Sequence, residues 1–218
     1  MSDLFSGQGH CPATARILIK PTSDVILVGA GKDAIMRVLS AVHRVNRHGS
    51  PEDFIAVALP TLHMGEHCAL MGTDVELLGS EASLGAFLRL DGVVSILRRR
   101  MIEHTEVGEV YPEAGMTGAA YVRVRKSEKY TQGWIRRASE RAKRRGKPFY
   151  APAQSRPNDL STLALMYDQK ILHVRETIGV ISDAPLFVST YGFSLEKTPA
   201  VLPVFPESAR YAEYRNAV

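Results

Sequence analysis

With 218 residues, 45% of them apolar and 23% charged, the chain has material for one large or two small packed units and the composition of an ordinary globular protein. No apolar run approaches the roughly 18 residues of a membrane span. The start, MSDLFSGQGHCPATAR, lacks the basic flank and apolar core of a signal peptide, and Cys11 and Cys68 are too few for a disulfide framework, so a cytoplasmic location is expected.

In chain order, residues 1–13 read as a loose lead-in. Ala15 to Lys20 alternates like a strand and stops at Pro21. Asp24 to Gly31 is a short apolar segment with a glycine turn. Asp33 is placed to cap a helix from Ala34 to about Arg47, with Ile35, Val38, Leu39, Val42 and Val45 on its buried face. Phe54–Leu59 and Asp74–Leu78 read as strands. Ser80 caps a helix whose apolar residues run from Ala82 to Leu90 and from Val93 to Leu97. Glu103–Val110 is the next strand, ended by Pro112. The order β-α-β-β-α-β is the ferredoxin-like pattern and predicts an α+β fold with a first domain over 14–112.

A second, smaller unit is expected over 113–205, followed by a polar tail at 206–218. Tyr121, Val122 and Val124 alternate with Arg123 and Arg125 as on an exposed strand. Leu163–Tyr167 and Ile171–Val174 suit a hairpin across Asp168 and Gln169, with Leu186–Thr190 as a last strand before a turn at Tyr191 and Gly192.

Charge is distributed very unevenly. The stretch Tyr121–Lys147 holds eleven Lys/Arg and two Glu, a balance of +9, whereas the whole chain carries only +4. Within it Trp134, Ile135, Ala138 and Ala142 give a narrow helical stripe. Arg137, Arg141 and Arg144 share another face, widened by Arg136, Lys143 and Arg145; Gly146 and Pro148 supply the stop. Like charges so close repel by a few tenths of a kcal/mol per pair, which a polyanion relieves. An ordinary surface helix mixes its signs more evenly, so the pattern points to nucleic acid.

Two other motifs are weak. In DVILVGAGKDA, Gly29, Gly31 and Ala34 fit G-x-G-x-x-A, but the next strand ends Ala58-Leu59-Pro60 with no acidic residue to hold a ribose, and Asp33 stands where a Walker loop needs Ser or Thr. A nucleotide-binding protein is the rival reading this motif supports. In LHMGEHC, His63, His67 and Cys68 are interrupted by Gly65 with no fourth ligand evident, so no metal or other cofactor is expected. His43, at the edge of the first helix's apolar stripe, is structurally unremarkable by spacing. Its imidazole is nevertheless the side chain best suited to moving a proton near neutral pH, and RNA carries its own nucleophile in the 2′-hydroxyl.

From about residue 15 to 205 the chain resembles the CRISPR repeat-processing endoribonucleases, most closely the type I-F members, with transposon-associated and type IV variants as neighbours. The resemblance rests on ILIKP, VLSAVHRVN, FIAVALPTL, VELLGSEASLGAFL, VRVRKS, the arginine-rich helix, STYGFS and the step Leu202-Pro203-Val204. It implies a ferredoxin-like domain followed by an RNA-binding domain whose arginine helix (Arg136, Arg137, Arg141, Arg144, Arg145) docks on a repeat hairpin. Arg123, Arg125 and Lys126 would contact the foot of the stem. His43 would deprotonate the 2′-hydroxyl, Tyr191 would orient it, and a serine would pin the ribose. That serine is Ser155 in one register, with Ala153 in place of the family's first serine; in the other register Met166 and Tyr167 occupy the positions. The implied activity is cleavage of precursor crRNA at the 3′ base of the stem, giving a cyclic phosphate. The product would stay bound beside other Cas subunits of a multi-subunit effector complex. The serine departure leaves a non-cleaving, hairpin-binding subunit as the alternative.

Overall fold

The computed structural model describes residues 7–64, 69–111, 113–124, 132–151, 162–167 and 170–205. It is a mixed α+β chain built on antiparallel sheets. In order it runs β1 (Gln8–Cys11), β2 (Ala15–Pro21), α1 (Ser23–Leu27), α2 (Gly31–His48), β3 (Ala56–Ala58), β4 (His63–Met64), β5 (Ala69–Leu70) and β6 (Val75–Gly79). There follow α3 (Glu81–Leu88), α4 (Asp91–Arg98), β7 (Ile102–His104), β8 (Gly108–Glu109), β9 (Thr117–Arg123), α5 (Gln132–Arg144), β10 (Leu163–Tyr167), β11 (Lys170–Val180), β12 (Leu186–Ser189) and β13 (Leu202–Pro203).

The first sheet has the order β3-β6-β2-β7, with β8 also on β2, and every pairing is antiparallel. Helices α2, α3 and α4 pack on one another, and α2 and α3 also pack against strand β2. Ile17 and Ile19 of β2 are fully buried, while Arg16 and Lys20 on either side of them reach carboxylates on and beside β6: Arg16 to Glu76 at 2.8 Å and Lys20 to Asp74 at 3.5 Å. The strand expected over 103–110 is two pieces. Relative to β2 the second piece is displaced by one extra residue, a bulge. Thr105 fills the gap, its hydroxyl accepting from Leu18 N–H at 3.0 Å while its own N–H donates to Leu18 C=O.

The second sheet has the order β10-β11-β9-β13 and is also antiparallel. Tyr167 is paired with Lys170, as the expected hairpin requires; its turn at Asp168 and Gln169 lies outside the described residues. Leu186–Ser189 is not the last strand, because Leu202–Pro203 adds β13 beside β9. The segment read as a loose lead-in is also different. Residues 8–11 form β1 and pair with β12, from the far end of the chain. One buried cluster joins both sheets, running from Ile17, Val38, Val42 and Phe54 through Tyr121, Leu165 and Val174 to Val188 and Phe193.

Local signals explain most helix boundaries. Ser80 caps α3 with a reciprocal box, accepting from Ser83 N–H while the Ser83 hydroxyl accepts from Ser80 N–H. Helix α2 starts earlier than Asp33 suggests. Its N-cap is Ala30, with no side-chain cap, because a backbone turn through Gly29 (φ 74°) already feeds the helix, Ala30 N–H donating to Val25 C=O. The apolar run before Gly29 is helix α1, with Leu27 and Val28 exposed, so the strand that a dinucleotide fingerprint requires is not there.

Cys11 is buried, its thiol donating to Leu78 C=O, and burial pushes its pKa from 9.0 up to about 12. The unfolded chain releases this proton first, so the thiol's contribution to stability is complete below pH 9 and declines as pH rises from there toward 12. On a Cys68→Ser background, Cys11 is expected to resist iodoacetamide at pH 8 in the native protein and to react fully once guanidinium unfolds it, read by intact mass. Native protein reacting as fast as the unfolded chain would mean the thiol is accessible.

Candidate functional site

The site begins on α2. Ala34, Ile35, Val38, Leu39 and Val42 recur at helical spacing and are buried, and His43, one position round from Val42, is half-buried at the margin of that face. The end of the helix is fixed by Asn46, which sequence reading passed over. Asn46 is 1% exposed, its amide donating to Ile55 C=O and accepting from Ile55 N–H, both at 2.8 Å. This clamps α2 to the residue just before β3. A polar residue in the i+4 place of a buried stripe was the available signal.

The turn after β12 reaches the same place. Gly192 has φ 79°; its N–H donates to Ser189 C=O at 2.8 Å and its C=O accepts from Val57 N–H at 2.9 Å. A Cβ there would lie 2.5 Å from Val57 Cγ2, 3.0 Å from Ile55 C=O and 3.3 Å from Val42 Cγ1. Glycine is therefore needed both for the backbone angle and for the close approach of the turn to α2 and β3. Phe193, 1% exposed, anchors the other side, and Ser189 closes the turn through its hydroxyl to Phe193 C=O at 2.9 Å. The consequence is that Tyr191 lies flat on His43, ring centroids 4.2 Å apart and planes within 10°.

A third group arrives from β9. Arg123 N–H donates to Ser194 C=O at 3.0 Å, which ties the strand end to the turn, and the guanidinium lies 4.9 Å from the Tyr191 ring centroid. Three residues far apart in sequence thus form one cluster: an imidazole able to exchange a proton, a phenol ring stacked on it, and a fixed cation beside that ring. Such a cluster can hold an anion next to a proton acceptor.

Gly192→Ala is expected to destabilise the protein by more than about 1 kcal/mol, from the positive φ and the filled contact together. It should also lower the transition midpoint in urea without changing the denaturant slope. An unaltered midpoint would show that the turn is not seated as described.

The arginine helix α5 carries its charges outward. Ala138 is buried, Trp134, Ile135 and Ala142 are half-buried, and Arg136, Arg137, Arg141, Arg144 and Arg145 are exposed with no ion pair among the described residues. Trp134 meets Phe149 at 6.3 Å. The helix ends in a Schellman motif, with Gly146 at φ 63°, Lys147 N–H donating to Ala142 C=O and Gly146 N–H to Lys143 C=O. Arg125, Lys126 and Ser155 lie outside the described residues, as do His67 and Cys68. Met166, the other register's candidate, is 62% exposed on β10. His63 is on strand β4, and among the described residues no three His, Cys, Asp or Glu gather as metal ligands.

No protein-family model matches the chain, and no curated protein is significantly similar to it in sequence. Among the described residues no helix is long and apolar enough to cross a membrane.

Proposed function

We propose that this chain is a metal-independent endoribonuclease that binds a CRISPR repeat hairpin and cuts precursor crRNA at the 3′ base of the stem. The observation that carries the reading is the cluster of His43, Tyr191 and Arg123. In this reading residues 14–112 are a ferredoxin-like domain, for which the connectivity and the strand order β3-β6-β2-β7 speak. Residues 113–205 are the RNA-binding part, with α5 presenting to the stem arginines that make no ion pair among the described residues.

The chemistry follows from the site. His43 takes the proton of the 2′-hydroxyl as that oxygen attacks the adjacent phosphorus. The bond to the 5′-oxygen breaks, and the departing oxygen takes up a proton from the imidazolium or from water. The products are a 2′,3′-cyclic phosphate and a 5′-hydroxyl. Tyr191 is a positioning residue that holds the imidazole plane, and Arg123 offers its charge to the phosphodiester. The protein then keeps the hairpin, in the cytoplasm, among other Cas subunits.

A non-cleaving hairpin-binding subunit is the second reading, favoured by the serine departure: neither register, Ala153 to Ser155 or Met166 and Tyr167, restores both ribose-pinning serines. Mixing the purified protein with the repeat RNA of the array accompanying its gene separates the two. A shortened product in EDTA supports the enzyme; tight binding with intact RNA supports the subunit.

A further inference from the structure

A pocket of about 500 Å³ is lined by Gln8, Arg123, Leu195, Glu196, Lys197 and Thr198. It shares Arg123 with the His43–Tyr191 stack, so the two are neighbours. Three segments build it. Gln8 opens β1 and is paired with Ser189, two residues before Tyr191. Arg123 ends β9. Residues 195–198 form a loop whose ends are drawn together by Ser194, its hydroxyl donating to Ala200 C=O at 3.1 Å and accepting from Ala200 N–H at 3.0 Å. Ser194 N–H donates to Tyr121 C=O at 2.9 Å, which pins the loop to the strand that carries Arg123.

The base of the loop is therefore fixed by buried bonds, and the lining it carries is chemically mixed. The lining brings two cations, Arg123 and Lys197, one carboxylate, Glu196, neutral hydrogen-bonding groups on Gln8 and Thr198, and an apolar side chain in Leu195. The volume is within the ordinary range for a small ligand, about 300–1,000 Å³. A unit with an anionic end and a flat, weakly polar end fits this wall, and a nucleotide has both. Because Arg123 belongs to both places, a strand with its phosphate by Arg123 and Tyr191 would bring its next unit toward this pocket.

We propose that this pocket is a single-nucleotide subsite. It takes the unpaired nucleotide beside the scissile phosphodiester, with Lys197 and Thr198 on the phosphate and Gln8 on the base edge. The choice of RNA rests on the ribonuclease reading; the assignment of Gln8, Lys197 and Thr198 does not come from it.

The test is calorimetric titration with adenosine 3′,5′-bisphosphate, the smallest unit carrying both flanking phosphates. Wild type is expected to bind it, Lys197→Ala to weaken binding about tenfold and Lys197→Arg to restore most of it. Two repeat-hairpin RNAs, one blunt and one with a single unpaired nucleotide at its foot, form the second arm; Lys197→Ala is expected to weaken only the extended one. The proposal is overturned if the bisphosphate does not bind, or if Lys197→Ala leaves its binding unchanged. It is equally overturned if Arg37→Ala, a cation on the outer side of α2, costs as much. If the bisphosphate binds through Lys197 but neither hairpin binds, the subsite stands and the ribonuclease reading falls.

Discussion

His43→Ala is expected to abolish cleavage of the repeat hairpin, by about 10²–10⁴-fold in the single-turnover rate, while changing hairpin affinity by less than about twofold. The asymmetry follows from where the residue lies. His43 is half-buried against the Tyr191 ring, so its loss removes a stacked contact of about 0.5–1.5 kcal/mol from a site that Gly192, Asn46 and Phe193 hold by other means. The surface proposed to hold the stem lies on α5, away from this residue in the chain, and keeps its charges. Tyr191 provides the companion result. Tyr191→Phe retains the stacking ring and is expected to cut at nearly the wild-type rate. Tyr191→Ala frees the imidazole plane, and the cleavage rate should fall with affinity little changed. Full-rate cutting by His43→Ala would remove the imidazole from the mechanism.

The second large effect is on binding. Replacing Arg137, Arg141 and Arg144 together with alanine is expected to weaken hairpin binding about a hundredfold at low salt. It should also flatten the dependence of log K on log salt by about two to three in slope, since each phosphate neutralised releases counterions. These three side chains are exposed and make no ion pair among the described residues, and alanine is the best helix former, so α5 should persist. Arginines reading base edges would instead discriminate between hairpin sequences. A deep duplex RNA groove admits side chains poorly, so most of the loss should be independent of stem sequence. An unchanged salt slope would mean that this face of α5 is only a solvated one.

The elements that were legible in the sequence are those whose local rules agree with their packing. The spacing of Ile35, Val38, Leu39 and Val42 identifies α2, Ser80 announces α3, and Gly146 ends α5 in the motif that glycine favours. What was not legible depends on distant partners. The QGHC of β1 has little strand character of its own and is ordered by pairing with β12. The break between β7 and β8 is a bulge that Thr105 fills against Leu18, which no alternation pattern reveals. Asp33 looks like a cap, but the preceding turn makes one unnecessary. The site divides in the same way. The charge of α5 can be counted, whereas the meeting of His43 with Tyr191 depends on a glycine fitting between Val42, Ile55 and Val57. Only the resemblance to a family joined those two residues beforehand. Nothing in the sequence marks Gln8 and Lys197 as facing one pocket, because they meet through β1–β12 pairing and the Ser194 pinch.

The most direct measurement is the mass of the RNA ends after the purified protein and its repeat hairpin are incubated with excess EDTA. The account predicts an upstream fragment ending in a 2′,3′-cyclic phosphate and a downstream fragment beginning with a 5′-hydroxyl. Fragments with a 3′-hydroxyl and a 5′-phosphate, or RNA that stays whole while firmly bound, would contradict it.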